Sequence, residues 1–148
     1  DGDELYIDCG GSSCPVCEGA ISWKANGQFF MGDASATATM NGTSIVIAGV
    51  SVSTAQIGFI MAEPATGWLN GVVIPMNLAT APGTAGAYEA IGGAETYSTS
   101  NGGNITMELT YVVSGVRGYV TGTFSGNMQS SAGAGVTISQ GTFAIPIN

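Results

Sequence analysis

The three cysteines of this chain stand close together near its start, at Cys9, Cys14 and Cys17. An odd number of cysteines in an exported protein is typical of one disulfide bond plus a thiol that is free or paired with another chain. Zinc held by three thiolates and Asp8 or Glu18 is an alternative, whereas an iron–sulfur cluster needs a fourth cysteine, which the sequence lacks. A redox role would require a helix that starts at Cys14 after a strand. The spacing therefore favours a structural disulfide.

Carboxylates are the other groups that could do chemistry. Four acids precede the first cysteine, and their oxygens could hold Ca²⁺: Asp1, Asp3, Glu4 and Asp8. Four acids further along the chain could form a glycosidase acid and base pair, although solvated surface carboxylates are far commoner: Glu63, Glu89, Glu95 and Glu108. Histidine is absent, and the only cations are Lys24 and Arg117. This inventory predicts a protein that is not an enzyme and has no cofactor other than Ca²⁺.

The low charge density of the chain bears on its partners. Charged residues make up 8% of the 148 positions, against about 25% in an ordinary soluble domain, while 45% of the residues are hydrophobic. Such a surface is suited to being covered by neighbours, which predicts that copies of the chain bind one another. The formal net charge of −8 disfavours nucleic acid and anionic membranes as partners.

The start of the sequence and its apolar runs predict where the protein resides. The chain begins at Asp1, and no run approaches the roughly 18 apolar residues that would span a bilayer. We therefore expect the mature product of signal-peptide cleavage, located outside the cell or on its surface and without a membrane span.

From Gly19 onward the hydrophobic pattern has a period of two, which is typical of strands. Asn26-Gly27 and Asn41-Gly42 each separate two alternating segments, the strongest short signal for a hairpin. The pattern predicts an all-β domain over residues 19–148, an antiparallel two-sheet sandwich of about 8 to 10 strands with a jelly-roll or immunoglobulin-like Greek-key topology. An acidic, cysteine-containing arm of residues 1–18 precedes it.

Two central segments carry more particular predictions. Residues 55–61 are apolar on both faces, with Ile57 and Phe59 on one face and Ile60 on the other. This predicts a central strand covered on both sides, or covered on one side by a neighbouring subunit. Residues 75–93 are rich in glycine and proline, which predicts a long irregular loop.

The C-terminal third predicts the longest strands. Residues 104–113 alternate so that five apolar side chains should face the core: Ile105, Met107, Leu109, Tyr111 and Val113. In the strand that follows, bulky residues alternate with glycines, an arrangement that allows facing side chains to interdigitate or a second backbone to approach closely. The last strand changes phase at Gly141, which predicts a β-bulge there.

Several sequence segments carry a resemblance to a group of known proteins. YSTSNGGNITMEL, VTGTFSG and VTISQGTFAI lie within residues 96–147, and ISWKANGQFF and TSIVIAG lie mainly within residues 21–48. They resemble small secreted or lipoprotein-type β-sandwich domains of bacterial cell surfaces, most of which have no assigned activity. The resemblance implies a β-sandwich at the cell surface and supplies no catalytic residue.

The arm contains a short apolar segment, Leu5, Tyr6 and Ile7, set between acids. Such a segment favours pairing with a sheet edge, either in its own domain or in another copy. Pairing with another copy predicts a structural subunit of an extracellular filament, a homopolymer joined by strand donation or edge pairing.

The alternative function is a secreted cell-surface module that binds calcium or glycan. Three aromatic residues near loop-rich segments could stack on sugars: Trp68, Tyr88 and Tyr97.

Overall fold

The computed structural model describes residues 19–32, 36–51, 55–77, 84–90, 93, 95–113 and 118–147. These residues form an all-β structure, as predicted. The strands are β1 (Ala20–Ala25), β2 (Gln28–Met31), β3 (Thr37–Asn41), β4 (Ser44–Val50), β5 (Gln56–Met61), β6 (Val72–Asn77), β7 (Ala85–Glu89), β8 (Thr96–Val113), β9 (Tyr119–Ser130) and β10 (Gly135–Pro146).

The strands pair in one continuous antiparallel sheet. Its order is β2-β1-β10-β9-β8-β7-β5-β4-β3, and β6 pairs with β8 beside this path. The sheet curls like a half-barrel, so that Ala38 of β3 forms a parallel bridge with Ile147 just after β10. The antiparallel all-β prediction is confirmed, whereas the division into two sheets with jelly-roll or Greek-key topology is not, because hydrogen bonding runs unbroken along the path.

The two predicted Asn-Gly turns are present and set the register of their hairpins. Asn26 and Gly27 have φ values of 49° and 84°, and Gly42 has a φ of 64°. Positive φ at such positions matches the twist of the flanking strands. Asn26 also ties its turn to β10, because its Oδ1 accepts a hydrogen bond of 2.9 Å from the N–H of Thr137. The turn therefore anchors one end of the β1–β2 hairpin to the neighbouring strand.

The inward face of β8 changes phase at a bulge. Ile105, Met107 and Leu109 are fully buried, as predicted. The pairing with β9 shifts between Leu109 and Tyr111, so that Tyr111 is 36% exposed and Val113 is 45% exposed. The prediction that these two side chains face the core is therefore wrong. The physical reason is one extra residue in β8, because a single inserted residue reverses the alternation of every side chain that follows.

A strand occupies part of the segment that was predicted to be irregular. β6 continues to Asn77, and β7 covers Ala85–Glu89. The N–H of Gly86 donates a hydrogen bond of 3.0 Å to the hydroxyl of Thr99, and the Tyr88 side chain is buried. The sequence of β7 is mostly Ala and Gly, so its hydrophobic alternation is too weak to predict a strand. Tertiary packing forms the strand nonetheless.

The curled sheet encloses one hydrophobic core that joins distant strands. The Phe59 ring of β5 lies 4.7 Å from the Phe124 ring of β9, centroid to centroid. Phe124 in turn lies 6.2 Å from Phe143 of β10. The Phe59–Phe124 contact joins strands that are not neighbours in the sheet, and burial of such apolar area is the main contribution that stabilises the curled form.

Glycines make room for these rings. Gly141 of β10 is paired with Phe124 and Gly122 of β9 is paired with Phe143, so each ring lies over a residue without a side chain. The register of β10 shifts between Ile138 and Gly141, which confirms the predicted bulge. The residue with positive φ is the neighbouring Gln140, at 50°. The predicted alternation of bulky residues and glycines thus serves ring packing between adjacent strands.

Candidate functional site

The predicted arm and its chemistry lie outside the described residues. This applies to the assembly segment Leu5, Tyr6 and Ile7, to the acids Asp1, Asp3, Glu4 and Asp8, and to Cys9, Cys14 and Cys17. Within the part of the chain that the structure describes, no three His, Cys, Asp or Glu side chains group so as to hold a metal ion. The calcium and disulfide assignments therefore remain predictions.

The three aromatic residues predicted to stack on sugars do not form one platform. Tyr88 and Tyr97 lie together, with ring centroids 6.0 Å apart. The indole N–H of Trp68 instead donates a hydrogen bond of 3.2 Å to the carbonyl of Thr43, just before β4. Tyr88 is paired with Ile57 of β5, which lies beside Gly49 near the end of β4. At about 3.3 Å per residue, Thr43 and Gly49 are roughly 20 Å apart.

Tyr88 belongs to an aromatic cluster beneath the Asn26-Gly27 turn. Its side chain is only 4% exposed, and its ring centroid lies 6.5 Å from Trp23 and 6.3 Å from Phe30. Tyr88, Tyr97 and Phe30 line a cleft of about 290 Å³. Since the Tyr88 side chain is almost fully buried, its ring is part of the core and is not available as a face for a sugar.

Burial, and secondarily the neighbouring Tyr97, raises the pKa of the Tyr88 hydroxyl above its ordinary value of 10.0. In the unfolded chain this hydroxyl ionises near pH 10, while in the folded chain it still keeps its proton. Ionisation of Tyr88 therefore leaves the free energy of unfolding unchanged below about pH 10. The free energy of unfolding falls as the pH rises through the folded-state pKa of Tyr88.

We expect Tyr88→Phe to remove part of the alkaline loss of stability. Urea unfolding between pH 8 and pH 11 should show a smaller fall in the free energy of unfolding for the variant than for the natural chain. The natural chain, measured over the same pH range, is the reference. Equal alkaline losses in the natural chain and in Tyr88→Phe would contradict this assignment.

The four glutamates predicted as candidates for a glycosidase pair lie at several places in the described sheet. Glu89 at the end of β7 is paired with Gln56 and Thr96, whereas Glu108 in β8 is paired with Val73 and Thr123. Glu63 follows β5, and Glu95 accepts a backbone hydrogen bond from Ala90 through its main-chain carbonyl. Glu89 and Glu95 are therefore neighbours at the β7–β8 connection, whereas Glu108 lies further along β8.

The edge of β2 is the feature of the described sheet that most resembles a docking site. Within the described residues, β2 is paired with β1 alone. Its outward side chains Phe29 and Met31 are 55% and 43% exposed, whereas Phe30 between them is buried against Trp23. An edge with free backbone groups and exposed apolar side chains is a template for pairing with another strand.

The other two edges of the described sheet are protected. β3 is bridged through Ala38 to Ile147, so the curl of the sheet covers part of that edge. β6 carries Pro75, which has no N–H donor and is a common device for blocking an edge. The comparison leaves β2 as the open edge. The sequence predicted this strand, but its position at the edge depends on the pairing of all the others.

The comparisons with known proteins give no further information on the site. No family model, no curated protein and no solved structure matches this chain. Among the described residues, no helix has the length and apolar character needed to cross a membrane.

Proposed function

We propose that this chain is the structural subunit of an extracellular filament or surface assembly, in which the arm of one copy pairs with the β2 edge of the next. The observation that carries the proposal is the open β2 edge with its exposed Phe29 and Met31. The pairing segment would be Leu5, Tyr6 and Ile7 of the arm, and the odd cysteine would be available to join copies covalently.

The charges on the two surfaces are complementary. Lys24 is paired with Phe29 and is the one cation among the described residues. The segment proposed to pair there is flanked by Glu4 and Asp8. An exposed ion pair stabilises such a contact by at most about 1 kcal/mol, so these charges orient the arm more than they hold it.

Apolar burial supplies most of the expected affinity. Burying Leu5 and Ile7 contributes roughly 3 to 6 kcal/mol, and each added ladder hydrogen bond about 0.5 to 1.5 kcal/mol. Association costs about 4 to 15 kcal/mol in lost freedom. Because β2 has only four residues, its hydrogen bonds alone do not offset that loss. Covering Phe29 and Met31 provides the additional area that the contact requires.

The proposed contact joins two different surfaces, an arm and an edge. Such a head-to-tail contact leaves one free arm and one free edge at the two ends of any open chain of copies. Growth therefore continues as a filament unless the rotation between copies closes a ring. The subunit body would be sandwich-like, with the two ends of the curled sheet packed over one core.

Deleting residues 1–8 tests the proposal. We expect the natural chain to elute as large assemblies in size-exclusion chromatography and to show fibres by negative-stain electron microscopy. The shortened chain should fold and should be monomeric or aggregate without fibres, because the edge loses its donor. A natural chain that is monomeric at high concentration would contradict the proposal, since the arm would then pair within its own copy or not at all.

A charge placed on either surface gives a sharper version of the experiment. Met31→Lys on β2 and Ile7→Asp on the arm should each abolish fibres while leaving the folded body intact. Thr39→Lys, at an exposed position on β3, is the matched control and should still form fibres. Fibres that persist in Met31→Lys would exclude β2 as the acceptor edge.

A further inference from the structure

Two adjoining clefts lie on the outer face of the sheet, away from the core. The first has a volume of about 390 Å³; its polar lining is Ser22, Thr110, Thr121 and Thr142, and the rest of its lining is apolar and includes Met31. The second has a volume of about 310 Å³, and its polar lining is Thr106, Glu108, Thr123, Ser125, Gln140 and Thr142. Thr142 belongs to both clefts, so they form one surface feature, which we call the hydroxyl trough. Each cleft falls within the range of small-molecule sites.

Two β-bulges shape the trough. In β8 the bulge at Thr110 brings two consecutive residues opposite Thr121, and in β10 the bulge places Gln140 at a φ of 50°. Bulges bend a strand and aim side chains where regular alternation would not, and they are common beside functional sites. The bulge in β10 places the exposed amide of Gln140 within the trough. The bulge in β8 places the exposed Tyr111 opposite the trough residue Thr121.

The hydroxyls of the trough retain hydrogen-bonding capacity. Thr110 and Thr121 are joined by a hydrogen bond of 2.8 Å, and Ser22 and Thr142 by one of 3.1 Å. Each hydroxyl has one donor and two acceptor sites, so a single bond leaves positions for a ligand. The bonds also hold the hydroxyls in place, which lowers the entropy lost when a ligand binds.

The charge of the trough restricts its ligand. Among the described residues that line the two clefts, Glu108 is the only ionisable one, and none is a lysine or an arginine. An anionic ligand would meet a carboxylate without a compensating cation. The trough instead suits a ligand that carries many hydroxyl groups and apolar C–H faces. It offers such a ligand fixed hydroxyls, an amide, one carboxylate acceptor and a nearby tyrosine ring.

We infer that the hydroxyl trough binds a neutral oligosaccharide. This site is distinct from the aromatic residues that the sequence suggested for sugar stacking, since it uses the outer face of β8, β9 and β10. It does not depend on the filament proposal, although Met31 lies at the border of both surfaces.

A glycan array tests this inference on the full-length chain. The probes are linear oligosaccharides of two to six glucose, galactose, mannose or N-acetylglucosamine units, with sulfated and uronic-acid oligosaccharides of equal length as anionic counterparts. We expect binding of a neutral member and no binding of its anionic counterpart. A folded chain that binds none of the neutral probes, or that prefers the anionic set, would overturn the inference.

Variants of the trough locate the site on the molecule. Thr142→Val removes one hydroxyl with little change of shape, and Tyr111→Ala removes the ring, so each should weaken binding at least tenfold by calorimetry. Thr39→Val is the matched control on the outer face of β3 and should leave the affinity unchanged. If Tyr97→Ala abolished binding while Thr142→Val did not, the sugar site would lie at the tyrosine cleft and our assignment would be wrong.

Discussion

Phe124→Ala should lower the free energy of unfolding by about 3 to 5 kcal/mol. The Phe124 ring is 2% exposed and lies between Phe59 of β5 and Phe143 of β10. It therefore connects strands that are distant along the hydrogen-bonded path, and its removal leaves a cavity in the core between β5 and β10. Since domains of this size are stable by about 5 to 15 kcal/mol, the variant should be close to the limit of folding.

Urea unfolding followed by tryptophan fluorescence measures this loss. Leu69→Ala is the matched control, because it removes a large apolar side chain from a position that is 55% exposed and lies outside the proposed contact. We expect the control to change stability by less than about 1 kcal/mol, as is usual for surface positions. A loss below 1 kcal/mol in Phe124→Ala would mean that the packing of β5 against β9 and β10 does not depend on this ring.

Gly141→Ala should destabilise the fold by about 1 to 3 kcal/mol, in the manner of an overpacked core. A Cβ atom at this position would overlap the ring of Phe124. The ring has little room to move, because Phe59 packs against it at a centroid distance of 4.7 Å. Gly141 is not among the residues with positive φ, so the expected loss comes from the clash and not from backbone strain.

Two further variants show whether the loss of stability in Gly141→Ala comes from the clash with Phe124. Gly135→Ala in the same strand is the matched control, since the nearest atom to its new Cβ would be 4.0 Å away, and we expect no loss of stability. The double variant Gly141→Ala with Phe124→Leu should lose less stability than the sum of the single changes, because the smaller side chain makes room for the methyl group. Strictly additive losses would show that the two positions do not interact.

Phe124 and Gly141 also show which packing features can be predicted from the sequence. The alternation of bulky residues with glycines predicted either interdigitation of facing side chains or close approach of a second backbone, and the phase change predicted the bulge at Gly141. Which ring lies over which glycine could not be predicted. It depends on the register between β9 and β10, and a shift of one residue would pair each ring with a different partner.

The candidate surfaces were less predictable than the strands. Phe29 and Met31 alternate with Phe30 in the sequence, but β2 is an open edge only because the chain pairs β1 with β10 and leaves nothing described beyond β2. The hydroxyl trough likewise combines residues from strands far apart in sequence. The exposed position of Tyr111 results from a bulge that the regular alternation of residues 104–113 does not reveal.

By itself, the sequence determined the all-β class, the two Asn-Gly hairpins and most of the inward-facing residues, because period-two patterns and turn residues act over a few positions. It also determined the scarcity of charge, from which the partners were predicted. Only the tertiary structure decided the single curled sheet, the strand β7, the separation of Trp68 from Tyr88, and the open edge. These features arise from contacts between residues distant in the chain, whose pairing is selected by packing of the whole core and not by local pattern.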